Sequence, residues 1–297
     1  MNFGFRLLLV FSIVVSSAGC AKDPEPIARE IPTGVIVQRD LVYASYEDRQ
    51  LLLDLYRPSH TETPRLPVVL VIRGGGWRMG DKEGFGPMAA ALAQRGFAAA
   101  CIEYRASEEA LFPAAVQDTK AAVRWIRANA EQFDLDPDAI GAIGGSAGAH
   151  LALYLGATSD VPELEGNGGN PTFSSSISAV VSMATPGDLT KMPDDRSPIA
   201  FLGSTYAEAP DLWEKASPSN YIGSSSPPLL LIHSKTDTVV PFALSTQLVD
   251  LYDQAGVPVE LITIPVAPHA FWNFTEWFDE TMDSAASFFS RELTVSQ

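Results

Sequence analysis

Six apolar runs of strand length punctuate the chain: LPVVLVIR (66–73), FAAACIEY (97–104), AIGAIGG (139–145), ISAVVSMA (177–184), PPLLLIH (227–233) and VPVELITI (257–264). Strands with no polar face must be covered on both sides, which predicts a mostly parallel sheet sandwiched between helices. Helical patterns fall between or after these runs, over 86–96, 113–130, 147–157, 243–254 and 275–289. Two earlier runs, LVYAS (41–45) and LLLDLY (51–56), lie too close together for a helix between them and predict an antiparallel start. The sum is one α/β domain with an eight-stranded, mostly parallel sheet. Two stretches, 158–176 and 186–226, break the rhythm; irregular segments of that length in a compact domain usually serve function, so both are expected to be lid-like insertions shaping a ligand groove.

The N-terminus reads differently. Residues 1–19 carry a cation at Arg6, an apolar run from Leu7 to Val15 and small residues leading to Cys20, a pattern that resembles a bacterial lipoprotein export signal. The run is shorter than the roughly 20 residues a spanning helix needs. Ser17 stands where such signals usually carry Leu, so plain cleavage near Ala18 stays open. The expected organisation is a signal peptide over 1–19, a tether over 20–38 stiffened by Pro24, Pro26 and Pro32, and the α/β domain over 39–297. Such a protein is exported to the cell envelope, held there by a lipid on Cys20, or else secreted. Cys101, the only other cysteine, sits in an apolar run and is expected to be a buried thiol. The net charge is −16, and without residues 1–19, which hold one cation and no acid, 19 bases face 36 acids for −17. That surface repels phosphate backbones and anionic lipid, which excludes nucleic acid and leaves the acyl chain as the only membrane attachment.

In an open parallel sheet, ligands collect at the carboxyl ends of the strands, so the residues just after each apolar run carry the information. After AIGAIGG comes the pentapeptide Gly144-Gly145-Ser146-Ala147-Gly148, a G-x-S-x-G pattern with a strand before it and a helix after it. A sharp strand-to-helix turn strains the serine backbone and needs neighbours without bulk, so that Oγ stands exposed. The same turn leaves the Ala147 amide free at a helix N-terminus. Alone, the pentapeptide also fits a phosphate loop. A second cluster, Gly74-Gly75-Gly76-Trp77, follows LPVVLVIR, and consecutive glycines let amides approach a substrate oxygen.

A hydroxyl nucleophile needs a base, and the base an orienting acid. Of the four histidines, His60 lies in a polar loop, His150 one helical turn beyond Ser146 is expected to pack, and His233 ends a strand in a structural role. His269, in the loop after the last strand, is the candidate base. Asp237, in the loop HSKTDTVVP, is the candidate acid, and the order Ser146, Asp237, His269 suits this topology.

The segments GGGWRMGDKE, EYRAS, FPAAVQDTKAAVRWIRANA, GGSAGAHLA, HSKTDTVVP and PHAFW together resemble the α/β-hydrolase superfamily, specifically bacterial carboxylesterases related to hormone-sensitive lipase and to feruloyl and acetyl xylan esterases. The resemblance implies a serine esterase with Ser146 as nucleophile, His269 as base, Asp237 as acid and an oxyanion hole from the amides of Gly75, Gly76 and Ala147. It implies no metal or organic cofactor. Relatives usually carry His where this chain has Arg73, which either braces the glycine loop or faces the pocket. Trp77 and Trp272 flank the motifs and either stack on a sugar or aromatic acyl group or fill the core. A carbohydrate ester is the expected substrate; a small-ester carboxylesterase, an amide hydrolase of the formamidase or peptidase type and a catalytically silent ligand-binding lipoprotein stay open.

Overall fold

The computed structural model describes residues 23–293, apart from 48 and 160, so the signal segment and Cys20 lie outside the described residues. Eight strands form one sheet: β1 (Val35–Tyr46), β2 (Arg49–Pro58), β3 (Leu66–Ile72), β4 (Ala98–Ile102), β5 (Leu135–Gly145), β6 (Ala179–Met183), β7 (Leu229–Ser234) and β8 (Val259–Ile264). Their spatial order is β1-β2-β4-β3-β5-β6-β7-β8. The pairs β1–β2 and β2–β4 run antiparallel and the rest parallel.

Strand β1 starts at Val35, inside the stretch that reads as tether, because it pairs with β2 as far back as Val35 opposite Pro58. Its side chains are mostly part-exposed, as suits a sheet edge. The interior strand β4, AAACI, is buried at every residue. Cys101 is among them, and its Sγ donates to the Lys82 carbonyl at 3.0 Å. Burial pushes that thiol well above its usual range.

The described residues form seven α-helices: α1 (Gly86–Gln94), α2 (Ala114–Ala128), α3 (Ala147–Ala157), α4 (Arg196–Leu202), α5 (Pro210–Lys215), α6 (Ala243–Ala255) and α7 (Thr275–Glu292). Helices α2, α3 and α6 bury apolar residues in the core on one face of the sheet, including Leu151, Leu155, Leu248 and Tyr252. On the other face α1 and α7 supply Met88, Leu92, Met282 and Phe289. Alternate residues of β3 fall into the two cores, Val68, Leu70 and Ile72 into one and Val69 and Val71 into the other, as the two-residue period of a strand requires.

The two irregular stretches have different fates. Segment 158–176 is bound to α2 through Glu165, which pairs with Lys120 at 2.8 Å and Arg124 at 2.7 Å. It lines no part of the large cavity at the carboxyl edge, so its lid role is not supported. Segment 186–226, holding α4 and α5, does reach that cavity. The described part of the 20–38 stretch is no free linker either: the Ile27 amide donates to the Asn273 carbonyl at 2.9 Å, and the Thr275 amide to the Glu25 carbonyl at 2.9 Å.

Candidate active site

Strand β5 ends at Gly145, and the chain turns at once into α3. Ser146 sits at the corner with φ 56° and ψ −122°, a strained conformation for a residue with a side chain. The turn is held because the Ser146 amide donates to the Met183 carbonyl at 2.9 Å, and the Ser146 carbonyl accepts from the His150 amide at 3.0 Å. Tight packing explains the small neighbours. A Cβ on Gly148 would come within 2.1 Å of the Ile72 carbonyl oxygen.

Three loops bring distant residues to this corner. His269 follows β8 by five residues, and its Nε2 lies 2.9 Å from Ser146 Oγ. Its Nδ1 lies 2.7 Å from Asp237 Oδ2, in the loop after β7. The Asp237 side chain is closed to solvent, and that of His269 is 16% exposed. Burial by itself would raise the Asp237 pKa; hydrogen bonds from His233, His269 and the amides of Val240 and Val239 outweigh it and hold the carboxyl well below the usual range. An ionised carboxylate only accepts, so Nδ1 of His269 carries the hydrogen. Nε2 is left with a lone pair facing the serine hydroxyl.

Residues 74–76 border the same cavity. Gly75 has φ +106°, and a Cβ there would meet the Met79 carbonyl oxygen at 2.0 Å, so only glycine fits. The amides of Gly75, Gly76 and Ala147 donate to no acceptor among the described residues. Arg73 is a brace: its Nη1 donates to the Met79 carbonyl at 2.5 Å, and its guanidinium lies 4.0 Å from the Tyr104 ring.

The two tryptophans are packed rather than open. Trp77 is 2% exposed, stacked on Phe201 at 4.7 Å, and donates from Nε1 to His150 Nδ1 at 3.3 Å. His150 therefore carries its hydrogen on Nε2 and donates to the Ala216 carbonyl at 2.9 Å. Burial lowers its pKa to about 4. Trp272 is 3% exposed and meets His269 edge-on at 5.8 Å. Both border the cavity, but neither gives it an open stacking face. His60 is exposed, away from the cavity lining.

The cavity holds about 750 Å³. Beyond residues 74–76, Ser146 and His269, its walls come from Met192, Ser197 and Pro198 of the second insertion and from Pro26, Ile27 and Arg29 before β1. None of these is legible as a site residue in the sequence, because each arrives by tertiary docking. His233 was readable only as a strand end. Its Nε2 faces Asp237 Oδ2 at 3.1 Å, and its Nδ1 lies 2.7 Å from Ser245 Oγ. The one hint is its spacing of four residues before Asp237.

A family model described as BD-FAE matches residues 53–252, well over half of the chain. Esterase LipQ of Mycobacterium tuberculosis is 33% identical over 235 residues, which cover 75% of this chain and 55% of that protein. Across three such curated relatives the chain spans 55% to 61% of their length. Among solved structures, a truncated carbohydrate esterase from gut microbiota is 30% identical with a TM-score of 0.79, covering 91% of this chain and 100% of that one. A bifunctional GH43-CE protein of Bacteroides eggerthii is 34% identical with a TM-score of 0.79, covering 86% of this chain and 38% of that one. With its sheet order, its helices on both faces and the matched span through the serine corner, the chain belongs to the BD-FAE family of the α/β-hydrolase fold.

Proposed function

We propose that the chain is a serine esterase that hydrolyses carboxylic esters, acting on acetyl or feruloyl esters of plant-type polysaccharides or oligosaccharides. The observation that carries the reading is the unbroken chain of hydrogen bonds from Ser146 Oγ through His269 to Asp237, opening on a cavity large enough for a sugar ester. Names among the relatives support the ester and carbohydrate parts. The export-like leader supports a setting in the cell envelope.

In this reading Ser146 Oγ attacks the ester carbonyl while its proton passes to His269 Nε2. The oxyanion takes the unengaged amides of Gly75, Gly76 and Ala147, each worth roughly 10²- to 10³-fold in rate. Collapse of the intermediate breaks the bond to the alcohol, which leaves with the proton from Nε2. Water then repeats the sequence on the acyl-enzyme and returns the serine. Asp237 stays ionised throughout, holding the ring and stabilising the imidazolium.

The test is a panel of acetylated and feruloylated xylo-oligosaccharides beside short nitrophenyl esters, with the parent chain and Ser146→Ala. Parent turnover with a preference for the sugar esters, and a loss of at least about 10³-fold in the variant, is expected. Preference for simple esters would give the small-ester reading. Equal rates in the two chains would end the esterase proposal.

A further inference from the structure

The segment before β1 is built into the wall of the substrate cavity. It is pinned by the backbone bonds at Glu25 and Ile27 to residues 273–275, a few positions beyond His269. Pro26 also makes an isolated bridge with Phe274. The segment precedes the span 53–252 matched by the family model. It brings one charged side chain to the cavity, Arg29.

The other charges of the lining are engaged. Arg73 braces the glycine loop, and Arg78 pairs with Glu108 at 3.2 Å. Asp81 caps the Gly84 amide and Asp195 the Ser197 amide, each at 2.8 Å. Arg29 makes no ion pair or hydrogen bond with any described residue. Glu30 and Glu83 border a smaller hollow on its other side without pairing with it. On a protein of net charge −16, a lining cation with no carboxylate partner among the described residues offers an anion a local attraction.

Resting on the esterase reading, we propose that residues 25–29 are a specificity element and that Arg29 takes a carboxylate carried by the substrate, so that acidic esters such as acetylated uronic sugars are preferred. The carboxylate sits on the alcohol part or on the acyl part. Acetylated glucuronic acid against acetylated glucose probes the first, and mono-nitrophenyl succinate against nitrophenyl butyrate the second. At low salt, Arg29→Ala lowers the charged-to-neutral ratio of kcat/KM by about threefold in one of the two pairs, the scale of an exposed ion pair. The change is carried by KM, shrinks at high salt and is largely reversed in Arg29→Lys. Arg65→Ala, exposed at the other end of β3, leaves both ratios alone. Ratios unchanged in Arg29→Ala would overturn the assignment even if all esters are turned over. No turnover of any ester by the parent chain removes the esterase reading and this inference with it.

A second observation stands apart from the first. His233 Nε2 lies 3.1 Å from Asp237 Oδ2 and 3.2 Å from the Val240 carbonyl, both acceptors, so it carries the hydrogen, and the Ser245 hydroxyl donates to Nδ1. Among the described residues the aromatic ring against it is Phe242, at 5.4 Å. The geometry points to His233 as a positioning residue that fixes Asp237 and shares Oδ2 with His269. Without this donor, the charge on Asp237 Oδ2 rests on its hydrogen bond to His269 alone, which it then accepts more strongly. His233→Leu is expected to lower kcat roughly tenfold and to move the acid limb of the kcat profile to higher pH, with KM unmoved. His233→Gln, which offers an N–H, retains most of the rate. Ser245→Ala moves the limb the same way by less, and remains informative if His233→Leu does not fold. An unmoved acid limb in both His233→Leu and Ser245→Ala would overturn the role.

Discussion

The two insertions that break the strand-helix rhythm are both rich in Pro and Ser, yet they differ in what they reach. The first, 158–176, is clamped by ions. Lys120, buried on α2, donates to Glu165, to the Thr158 carbonyl at 2.7 Å and to Ser175 Oγ at 3.3 Å, while Arg124 reaches Glu165 and the Gly169 carbonyl. The second, 186–226, is clamped by neutral groups. His150 donates to Ala216, Tyr154 Oη donates to the Lys215 carbonyl at 2.5 Å, and Phe201 stacks on Trp77. Only the second reaches the cavity. Irregular length therefore does not identify a lid; what the segment is fastened to does. A loop bound to α2 is tied to the sheet's flank, whereas one bound to α3 and to the residue after the glycine loop is tied to the serine corner.

The sharpest break of this contrast is Glu165→Leu. It takes the shared carboxylate, itself 32% exposed, from Arg124 and from Lys120, which keeps the Thr158 carbonyl and Ser175 Oγ, and losing one member of a pair whose cations are buried costs about 3 kcal/mol. Denaturant unfolding should show that loss while KM for an acetyl ester stays at the parent value. A KM change as large as the stability change would make the first insertion part of the site after all.

The second clamp answers to pH instead. His150 titrates at 6.5 when unfolded and at about 4 when folded, its charged form being opposed by burial. Between those values the unfolded chain binds more protons, so stability is full above pH 6.5 and falls as pH drops toward 4, by about 3 kcal/mol in all. Unfolding free energies measured from pH 7 to 4 should slope accordingly. In His150→Gln that component of the slope should vanish; an identical slope would place the acid sensitivity elsewhere.

The contrast also marks what could be read from the chain alone. Ser146, Asp237 and His269 were legible because each sits in a short loop directly after an apolar run, and a parallel sheet gathers those loops on one edge. The β1 start at Val35 was not, since VIVQRD, after Pro32 and Gly34, buries none of its positions fully and so carries no core-facing run. The fate of each insertion was hidden for another reason. Lys120 and Glu165 are 45 residues apart and His150 and Ala216 are 66 apart, and no periodicity links such partners. Trp77 and Trp272 show the converse limit: proximity to a motif was right, but ring exposure depends on Phe201 and His269 arriving from elsewhere.

The smallest expected effect is the most discriminating. Helix α4 has seven residues, too few to hold itself, and its first turn depends on Asp195, which accepts from the Ser197 amide at 2.8 Å. Asp195→Ala removes that cap at a cost of about 1 kcal/mol. The helix carries Ser197 and Pro198 into the cavity wall and Phe201 beneath Trp77. Fraying of its first turn should thus loosen the substrate wall more than it loosens the fold, and KM for an acetyl ester should rise about two- to threefold, the factor that somewhat under 1 kcal/mol of lost binding gives. Steady-state kinetics beside a melting curve separate the two effects. If stability falls and KM holds, the second insertion is scaffolding like the first, and the distinction drawn from their fastenings fails.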